Sequence, residues 1–261
     1  MALPKHSSPW EIRTAGLSDV GRVREHNEDR YLVDLDRSLF IVSDGMGGHQ
    51  AGEVASEAVV TVLPPLIEQY ISRHHPSSGK AIERILQRAI RELSQRLRTE
   101  SKGRAGLQGM GATLTLVWLR GEEAYLAHMG DSRIYLYRNE KLIQMTNDHS
   151  VVGLLLRHGD ITPEEARNHP ARGRLSRYVG MKEDVSPDVR TIRPQQGDRL
   201  LLCSDGLTGM VPDEQIRDVL QANPEPEAAC QALIAAANEA GGKDNITVLV
   251  VNCEPLTTTG R

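Results

Sequence analysis

The chain has 261 residues, of which 39% are hydrophobic and only 3% aromatic, so its core must be built from aliphatic side chains. This composition suits an ordinary globular protein and argues against extensive disorder. The formal net charge of −4, from 31 basic and 35 acidic residues, lacks the basic excess that is typical of nucleic-acid binders.

The ends of the chain and its cysteines indicate a cytoplasmic protein. The first ten residues have no apolar segment like that of a signal peptide, and no apolar run approaches the roughly 20 residues that a membrane span requires. Three widely separated cysteines without a C-x-x-C pair indicate reduced, buried thiols. Because no low-complexity linker interrupts the chain, we predict one domain over residues 11–253, with tails at 1–10 and 254–261.

Seven segments have the composition of β-strands, and several are joined by very short connections. A parallel crossover needs a dozen or more residues, so these connections indicate antiparallel pairing. The predicted strands are 31–36, 39–44, 112–119, 123–130, 133–138, 199–205 and 245–252.

Apolar residues at helical spacing predict three helices, over residues 51–71, 80–98 and 225–240. Pro64 and Pro65 are expected to break or kink the first of them near its middle. Residues 148–186 are rich in Arg, His, Gly and Pro and predict a small helical or irregular excursion over one edge. Antiparallel strands with helices in separate blocks indicate an α+β layered sandwich.

Acidic residues recur beside the predicted strands, most of them next to Gly or Asn. Asp44 and Asp205 each end a strand and precede a glycine, Asp131 lies between two strands, Asp244 begins one, and Glu28 lies shortly before another. A single Asp at a strand end usually caps a turn, but that explanation is less satisfactory for the whole set. Carboxylates that are brought together take up protons unless a cation lies among them.

The residue types point to a hard divalent cation. Ligands that are all oxygen suit Mg²⁺ or Mn²⁺, whereas zinc prefers His or Cys, and neither is found here at ligand spacing. A glycine directly after Asp44 lets the main chain approach the ion, so the Gly45 carbonyl is also a candidate ligand. The glycines that follow leave space for water and a substrate.

Competing motifs fail on their spacing. "GMGGHQAG" has Gln50 in the place of the last glycine of G-x-G-x-x-G, and no G-x-x-x-x-G-K-[ST] occurs. "DLDRSLF" opens like an EF-hand loop but has Leu39 where the loop needs glycine. The absence of C-x₅-R argues against a cysteine-dependent phosphatase.

Seven segments together resemble the metal-dependent protein phosphatases of the protein phosphatase 2C family, in their order and spacing. They are "VREHNED", "VSDGMGGHQAGEVAS", "GATLT", "AHMGDSRIYLYR", "DHS", "LLLCSDGL" and "KDNITVLVV". The resemblance runs from about Leu17 to Val251 and is greatest to the compact bacterial serine/threonine phosphatases. It implies a four-layer α-β-β-α sandwich, with two antiparallel sheets flanked by helices.

The resemblance also implies a binuclear Mn²⁺ or Mg²⁺ centre that hydrolyses phosphoserine and phosphothreonine. Asp44 would bridge the two ions, Glu28 and the Gly45 carbonyl would serve one, and Asp205 and Asp244 would serve the other. In such a centre a water between the ions is acidified and attacks phosphorus in line, so no phosphoenzyme is needed.

Bacterial members often bind a third ion, and Asp131 and Asp205 match its ligand positions. Some relatives use a position near Gly173 for the same ion, and a glycine there offers only its carbonyl, so the third ion is expected to bind more weakly. Arg24 matches the arginine that binds the phosphoryl group and would absorb charge on its oxygens.

The chain departs from animal members of the family at the general acid. They carry a proposed catalytic histidine after Asp-Gly, and here that position is Met46. The proton for the leaving alkoxide must then come from a metal-bound water or from His49, which is equally consistent with a helix-start residue.

Residues 148–186 resemble the mobile flap of the bacterial enzymes. Its arginines either hold acidic phosphopeptides or form a solvated basic surface, and they are Arg167, Arg172, Arg174 and Arg177. Expected partners are phosphoproteins made by serine/threonine kinases, without nucleic acid or membrane, and a monomer is expected. Two alternatives remain: a non-catalytic module that binds phosphoproteins, which the full set of carboxylates disfavours, and a binuclear hydrolase of small phosphate esters.

Overall fold

The apolar runs of the sequence form strands that lie in two antiparallel sheets. The computed structural model describes residues 10–48, 50–102, 104, 106–182 and 186–255. The strands in these ranges are β1 (Trp10–Asp19), β2 (Asp29–Asp34), β3 (Leu39–Met46), β4 (Gly111–Ala112), β5 (Leu114–Arg120), β6 (Glu123–Met129), β7 (Arg133–Arg138), β8 (Lys141–Gln144), β9 (Asp188–Ile192), β10 (Asp198–Cys203) and β11 (Ile246–Pro255).

One sheet has the strand order β1-β11-β10-β7-β8, and the other has the order β2-β3-β5-β6-β9, with β4 paired to β3. Their inner faces meet in an apolar core that includes Phe40, Val117, Leu136 and Leu200. The central strands are buried on both faces, which is why they appear as continuous apolar runs.

Helices cover the outer faces of both sheets. In the described ranges they are α1 (Gln50–His74), α2 (Gly79–Ser101), α3 (Val151–His158), α4 (Pro163–Arg167), α5 (Asp205–Thr208), α6 (Asp213–Ala222) and α7 (Pro226–Glu239). The first two pack on the sheet that contains β3, and the last three pack on the sheet that contains β11. The predicted α-β-β-α sandwich is therefore confirmed.

The predicted break in the first helix is wrong. Helix α1 continues through Pro64 and Pro65 as one element of 25 residues. Leu63, Leu66 and Ile67, on either side of the prolines, are buried in the core under this helix. Tertiary packing of these side chains overrides the local cost of the missing backbone donors.

Strand β1 was not predicted, and both predicted tails reach too far into the domain. Trp10 pairs with Pro255, and Glu11 with Glu254, at the start of a ten-residue antiparallel ladder between β1 and β11. Strand β1 lies at a sheet edge and mixes half-buried with exposed positions, so its sequence lacks the apolar run of a central strand.

The predicted excursion at 148–186 contains the short helices α3 and α4 and an irregular return segment, as far as residue 182. Ser150 caps α3 by accepting a hydrogen bond from the Gly153 N–H, and Thr162 and Glu165 form a capping box at α4. None of the helices in the described ranges combines the length and apolar character that a bilayer span requires.

Candidate metal centre

The ends of β3, β6 and β10 and the start of β11 bring four predicted carboxylates together at one end of the sandwich. Asp44 is partly buried at the end of β3, and its pKa is raised well above the usual value, first by burial and then by the nearby charges of Asp29, Asp205, Asp131 and Asp244. These residues come from distant parts of the chain, so the fold itself creates their mutual repulsion.

Asp131 and Asp205 show the same effect. Burial raises the pKa of Asp131 well above its usual value, and the charge of Asp205 adds to the effect. Burial is also the largest cause of the raised pKa of Asp205, and the charge of Asp244 raises this pKa further. The Asp205 Oδ1 atom is buried and has no hydrogen-bond partner. An acceptor left free among repelling carboxylates fits a bound cation.

Glycines allow the backbone to close around this site. A Cβ atom on Gly45 would overlap with the Gly52 carbonyl oxygen and would lie 2.7 Å from the Glu28 carbonyl oxygen. A Cβ atom on Gly52 would overlap with Glu28 Oε2, and one on Gly206 with the Asn245 carbonyl oxygen. The glycines after Asp44 and Asp205 are therefore required by close packing, in addition to the access that they give to a ligand.

Asn245 organises the loop that presents Arg24 and Glu28. Its Oδ1 atom accepts a hydrogen bond of 2.9 Å from the Glu28 N–H, and its Nδ2 donates to the carbonyls of Val20 and His26. The next residue begins β11, so the loop is tied directly to the central part of a sheet. Sequence reasoning missed this residue, although a polar Asn before an apolar strand was visible.

Arg24 lies beside the carboxylates and is held there by charge. Its Nη2 atom donates to Asp244 Oδ2 at 2.8 Å, and about half of its side chain is exposed. Burial lowers the pKa of Arg24, but the charges of Asp244, Glu28 and Asp44 outweigh burial and raise it overall. A guanidinium in this place has donors available for an anion that enters from solvent.

The comparisons with known proteins agree with this geometry. The family model for protein phosphatase 2C matches residues 21–237. The chain is 40% identical over 254 residues to the serine/threonine phosphatase stp of Listeria monocytogenes, covering 96% of this chain and 98% of that protein. This chain belongs to the protein phosphatase 2C family.

Solved structures extend the similarity to the whole fold. The serine/threonine phosphatase of S. agalactiae superposes with a TM-score of 0.85 at 33% identity, covering 94% of this chain and 100% of that chain. The catalytic domain of the phosphatase PstP, in complex with two manganese ions, superposes with a TM-score of 0.77 at 37% identity, covering 93% of this chain and 98% of that chain.

Buried hydroxyl groups form hydrogen bonds with the acidic residues of this protein phosphatase 2C domain. Ser204 donates to Asp29 Oδ2 at 2.8 Å and accepts from the Thr247 N–H, and Thr113 Oγ1 accepts from the Asp44 N–H at 2.9 Å. Burial is the main reason that the pKa of Asp29 rises to about 7. These supporting groups were not predicted, because a Ser or Thr beside a strand has no distinctive pattern.

Met46 occupies the position of the histidine that is proposed as the general acid in animal members. It is the last residue of β3 and pairs with Gly111, and its side chain has no titratable group. His49 lies outside the described residues.

One of the flap arginines reaches toward the acidic set. Arg172 donates to the Gly209 carbonyl, and its charge lowers the pKa of Asp205 against the stronger effect of burial. It lines a cavity of about 880 Å³ together with Asp131 and Gly173. Arg177 instead pairs with Asp188, and the side chain of Arg167 lies outside the described residues.

Another cluster of possible metal ligands was missed altogether. Within the described ranges, one set of His, Cys, Asp or Glu residues has three ligand atoms within 4.8 Å of one another, and it consists of His128, His149 and Asp188. The acidic set does not meet this distance criterion. The two histidines are 21 positions apart and Asp188 is further along the chain, so no local spacing indicated this cluster.

Arg24→Ala is expected to lower kcat/KM on a phosphothreonine peptide by roughly 10- to 100-fold. A hydrogen bond to a charged group contributes about 1.5–3 kcal/mol, and each 1.36 kcal/mol is about tenfold in rate. Arg24→Lys should recover only part of this loss, because an ammonium group cannot hold two phosphoryl oxygens in a fork.

Mn²⁺ affinity should stay the same or increase in Arg24→Ala, since a positive charge next to Asp244 is removed. Steady-state kinetics and calorimetric Mn²⁺ titration measure the two effects separately. Arg22→Ala is the matched control, because Arg22 donates to the Asn238 carbonyl and not to an acidic side chain. Unchanged kinetics in Arg24→Ala would mean that this exposed arginine does not bind the phosphoryl group.

Proposed function

We propose that this chain is a Mn²⁺- or Mg²⁺-dependent protein serine/threonine phosphatase that hydrolyses phosphoserine and phosphothreonine in proteins. The main support is the partly buried set of repelling carboxylates at the end of the sandwich, with Arg24 beside it. Such a set needs cations for compensation, and cations together with a guanidinium suit a phosphoryl group. The catalytic domain is proposed to span residues 10–255, so that it includes the whole β1–β11 ladder, with a flap at about 148–186.

Two ions are proposed to bind in the central site, as in the manganese complex of the PstP catalytic domain. Asp44 would contact both ions, the Gly45 carbonyl and Glu28 would serve one, and Asp205 and Asp244 would serve the other. When bound, the ions supply the charge that makes a water molecule a good nucleophile at neutral pH. A third, weaker ion at Asp131 and Asp205 is part of the same proposal.

The side chains of this protein have separate tasks in the proposed reaction. Arg24 binds the phosphoryl oxygens and neutralises their charge as the bond to the leaving oxygen lengthens. The glycines after Asp44 leave room for the substrate. Met46 cannot protonate the leaving alkoxide, so the proton must come from water or from another side chain such as His49.

Substrates are proposed to be proteins phosphorylated by serine/threonine kinases in the cytoplasm of a bacterium, where this chain would act in signalling as a monomer. The net charge of −4 supports the absence of a nucleic-acid partner. The arginines of the flap, above all Arg172 in the cavity beside Asp131, would contact acidic groups of the phosphopeptide.

Chelation tests the proposed metal requirement directly. Turnover of a phosphothreonine peptide is expected to vanish after exhaustive treatment with EDTA and to return with Mn²⁺, because the carboxylates without cations provide no activated water. Circular dichroism on the same samples shows whether the chelated protein stays folded. Full turnover after chelation would overturn the proposal.

The two alternative functions predict other results in the same assay. A small phosphate ester that is hydrolysed much faster than the phosphopeptide would indicate a hydrolase of small esters. A protein that binds the phosphopeptide but never hydrolyses it, with Mn²⁺ or Mg²⁺ present, would indicate a non-catalytic binding module.

A further inference from the structure

The motif "DHS" at residues 148–150 packs against "GDSR" at residues 130–133, the segment that contains Asp131. Arg133 forms a double hydrogen bond with Asp148, with Nε to Oδ1 at 2.9 Å and Nη2 to Oδ2 at 2.7 Å. Asp148 therefore binds the last residue of "GDSR". No function had been assigned to "DHS" from the sequence.

His149 binds both polar groups of the Gly130 backbone. The His149 N–H donates to the Gly130 carbonyl at 2.7 Å, and the Gly130 N–H donates to His149 Nδ1 at 3.3 Å. Gly130 has a φ of 121°, and a Cβ atom there would lie 2.6 Å from Thr113 Cγ2. This strained and crowded residue immediately precedes Asp131, so its conformation determines where the carboxylate begins.

The imidazole of His149 is fixed in one neutral form. Because Nδ1 accepts a hydrogen bond, the ring proton is on Nε2, which lies 3.1 Å from Asp188 Oδ2. Burial lowers the pKa of His149, which favours the neutral ring. Asp188 also accepts from Arg177 Nη1 at 2.9 Å, so the carboxylate that orients the ring is itself bound to the flap.

The backbone of His149 makes a second connection to the flap. Its carbonyl accepts from the Ser176 N–H at 2.8 Å, and the Arg177 N–H lies 3.4 Å from the same oxygen. A single buried residue therefore contacts the backbone before Asp131 on one side and the returning flap segment on the other.

We propose that His149, oriented by Asp188, is a positioning residue that sets the geometry of Asp131 and links it to the flap segment at 174–177. The inference rests on the proposed function, because it assigns a task to His149 through the metal-binding role proposed for Asp131. It extends that function to a second layer of side chains that touch neither the substrate nor the ions.

The alternative of a metal ion between His128, His149 and Asp188 is disfavoured by the hydrogen bonds of His149. An ion on Nε2 would force the ring proton onto Nδ1, where it would face the Gly130 N–H. Neither nitrogen of His128 has a hydrogen-bond partner. Burial lowers the pKa of His128 to about 3, and the neighbouring His149 adds to this effect, so the ring is neutral. Its ring centre lies 4.5 Å from that of His149, so His128 serves as a packing surface.

Two substitutions separate the contacts of His149. His149→Asn places an amide oxygen near the position of Nδ1 and keeps the contact with Gly130, but it cannot reach Asp188. His149→Gln places its amide near the position of Nε2 and keeps Asp188, but it loses the Gly130 N–H. If the contact with Gly130 is decisive, the Asn variant should retain most activity and the Gln variant should not.

His149→Gln is expected to lower kcat on a phosphopeptide by about 10²-fold, since a small misplacement of a catalytic group has an effect of that order. It should also weaken the last Mn²⁺ binding step by roughly 10- to 100-fold in a calorimetric titration, as is typical when a supporting partner of a metal ligand is lost. Hydrogen exchange at the Gly130 amide should accelerate in His149→Gln and stay slow in His149→Asn.

Two further variants test the role of His149 if His149→Gln does not fold. Asp188 is half exposed, so Asp188→Asn should fold, and it should lower kcat by a smaller factor while leaving KM unchanged. His128→Leu removes a buried polar ring without a partner and should leave kcat, Mn²⁺ binding and stability nearly unchanged.

Three results would overturn the inference. Equal losses in His149→Asn and His149→Gln would show a general packing role, and wild-type kinetics in both would show that the contact with Gly130 is dispensable. Stoichiometric Zn²⁺ binding by the wild type that is lost in His128→Leu would show a metal site instead. Hydrogen exchange at Gly130 is independent of turnover, so an inactive wild-type protein would refute the proposed function without deciding the role of His149.

Discussion

Asp44→Asn is expected to lower phosphopeptide turnover by roughly 10³-fold or more. Metal ions contribute several kcal/mol to such reactions, and each 1.36 kcal/mol is about tenfold in rate. Asp44 lies among Asp29, Asp131, Asp205 and Asp244, so a change here removes the charge that both central ions are proposed to share. Calorimetric Mn²⁺ titration beside steady-state kinetics should show that metal binding is lost together with activity.

The same substitution should stabilise the protein in EDTA. Folding raises the pKa of Asp44, so ionisation of this carboxyl group destabilises the folded protein. The destabilisation is absent below the unfolded pKa of about 4 and grows as the pH rises above that value. A neutral Asn should therefore raise the melting temperature of the chelated protein at pH 7 and have much less effect at pH 4. Asp160→Asn, at an exposed position, is the control.

An Asp44→Asn enzyme with normal turnover would mean that the metal centre has been assigned to the wrong residues. A lower melting temperature in EDTA at pH 7 would mean that hydrogen bonds to the Asp44 carboxylate outweigh its repulsion with the surrounding acids.

Asp131→Ala should preserve the fold and the two central ions but reduce phosphopeptide turnover by roughly 10²- to 10⁴-fold, the usual contribution of a proton donor. Asp131 is proposed to bind the third ion, which would orient the substrate or supply the proton that Met46 cannot. An aryl phosphate needs little protonation of its leaving group and should lose less activity. This difference between substrates distinguishes loss of a proton donor from a general loss of the site.

The measurement is a calorimetric Mn²⁺ titration combined with kinetics on both substrates. Asp213→Ala is a suitable control, because Asp213 lines the same cavity but is bound to the Tyr135 hydroxyl. Unchanged phosphopeptide turnover in Asp131→Ala would make the third site dispensable. Loss of all Mn²⁺ binding would place Asp131 in the central pair.

The sequence predicted the central strands and the edge strand β2, and it missed the other three edge strands. Strands β3, β5, β7, β10 and β11 contain long apolar runs because a second sheet and a layer of helices cover them. Strands β1, β8 and β9 lie at sheet edges and mix exposed with buried positions, so their sequences resemble those of loops. For helix α1 the sequence predicted a break that does not occur. The helix depends on core contacts, and local propensity does not include these contacts.

For the site, sequence reasoning found the acidic residues and missed the groups that hold them. Asp44 and Asp205 were recognisable because each precedes a glycine, and close packing requires both glycines. Asn245 and His149 act through the backbone of residues far away in the chain, and such contacts exist only after the sheets have formed. A side chain that works by holding a distant backbone group has no local sequence signature.

The pairing of β1 with β11 affects when the enzyme can become active during synthesis. The ladder joins residues 10–19 to residues 246–255, so this sheet is complete only when the second of these segments is available. Asn245, which orders the loop of Arg24 and Glu28, and Asp244 both belong to this late-emerging region. A nascent chain whose residues 244–255 have not yet left the ribosome therefore lacks an organised catalytic loop, and phosphatase activity should arise only after this segment has entered the sheet.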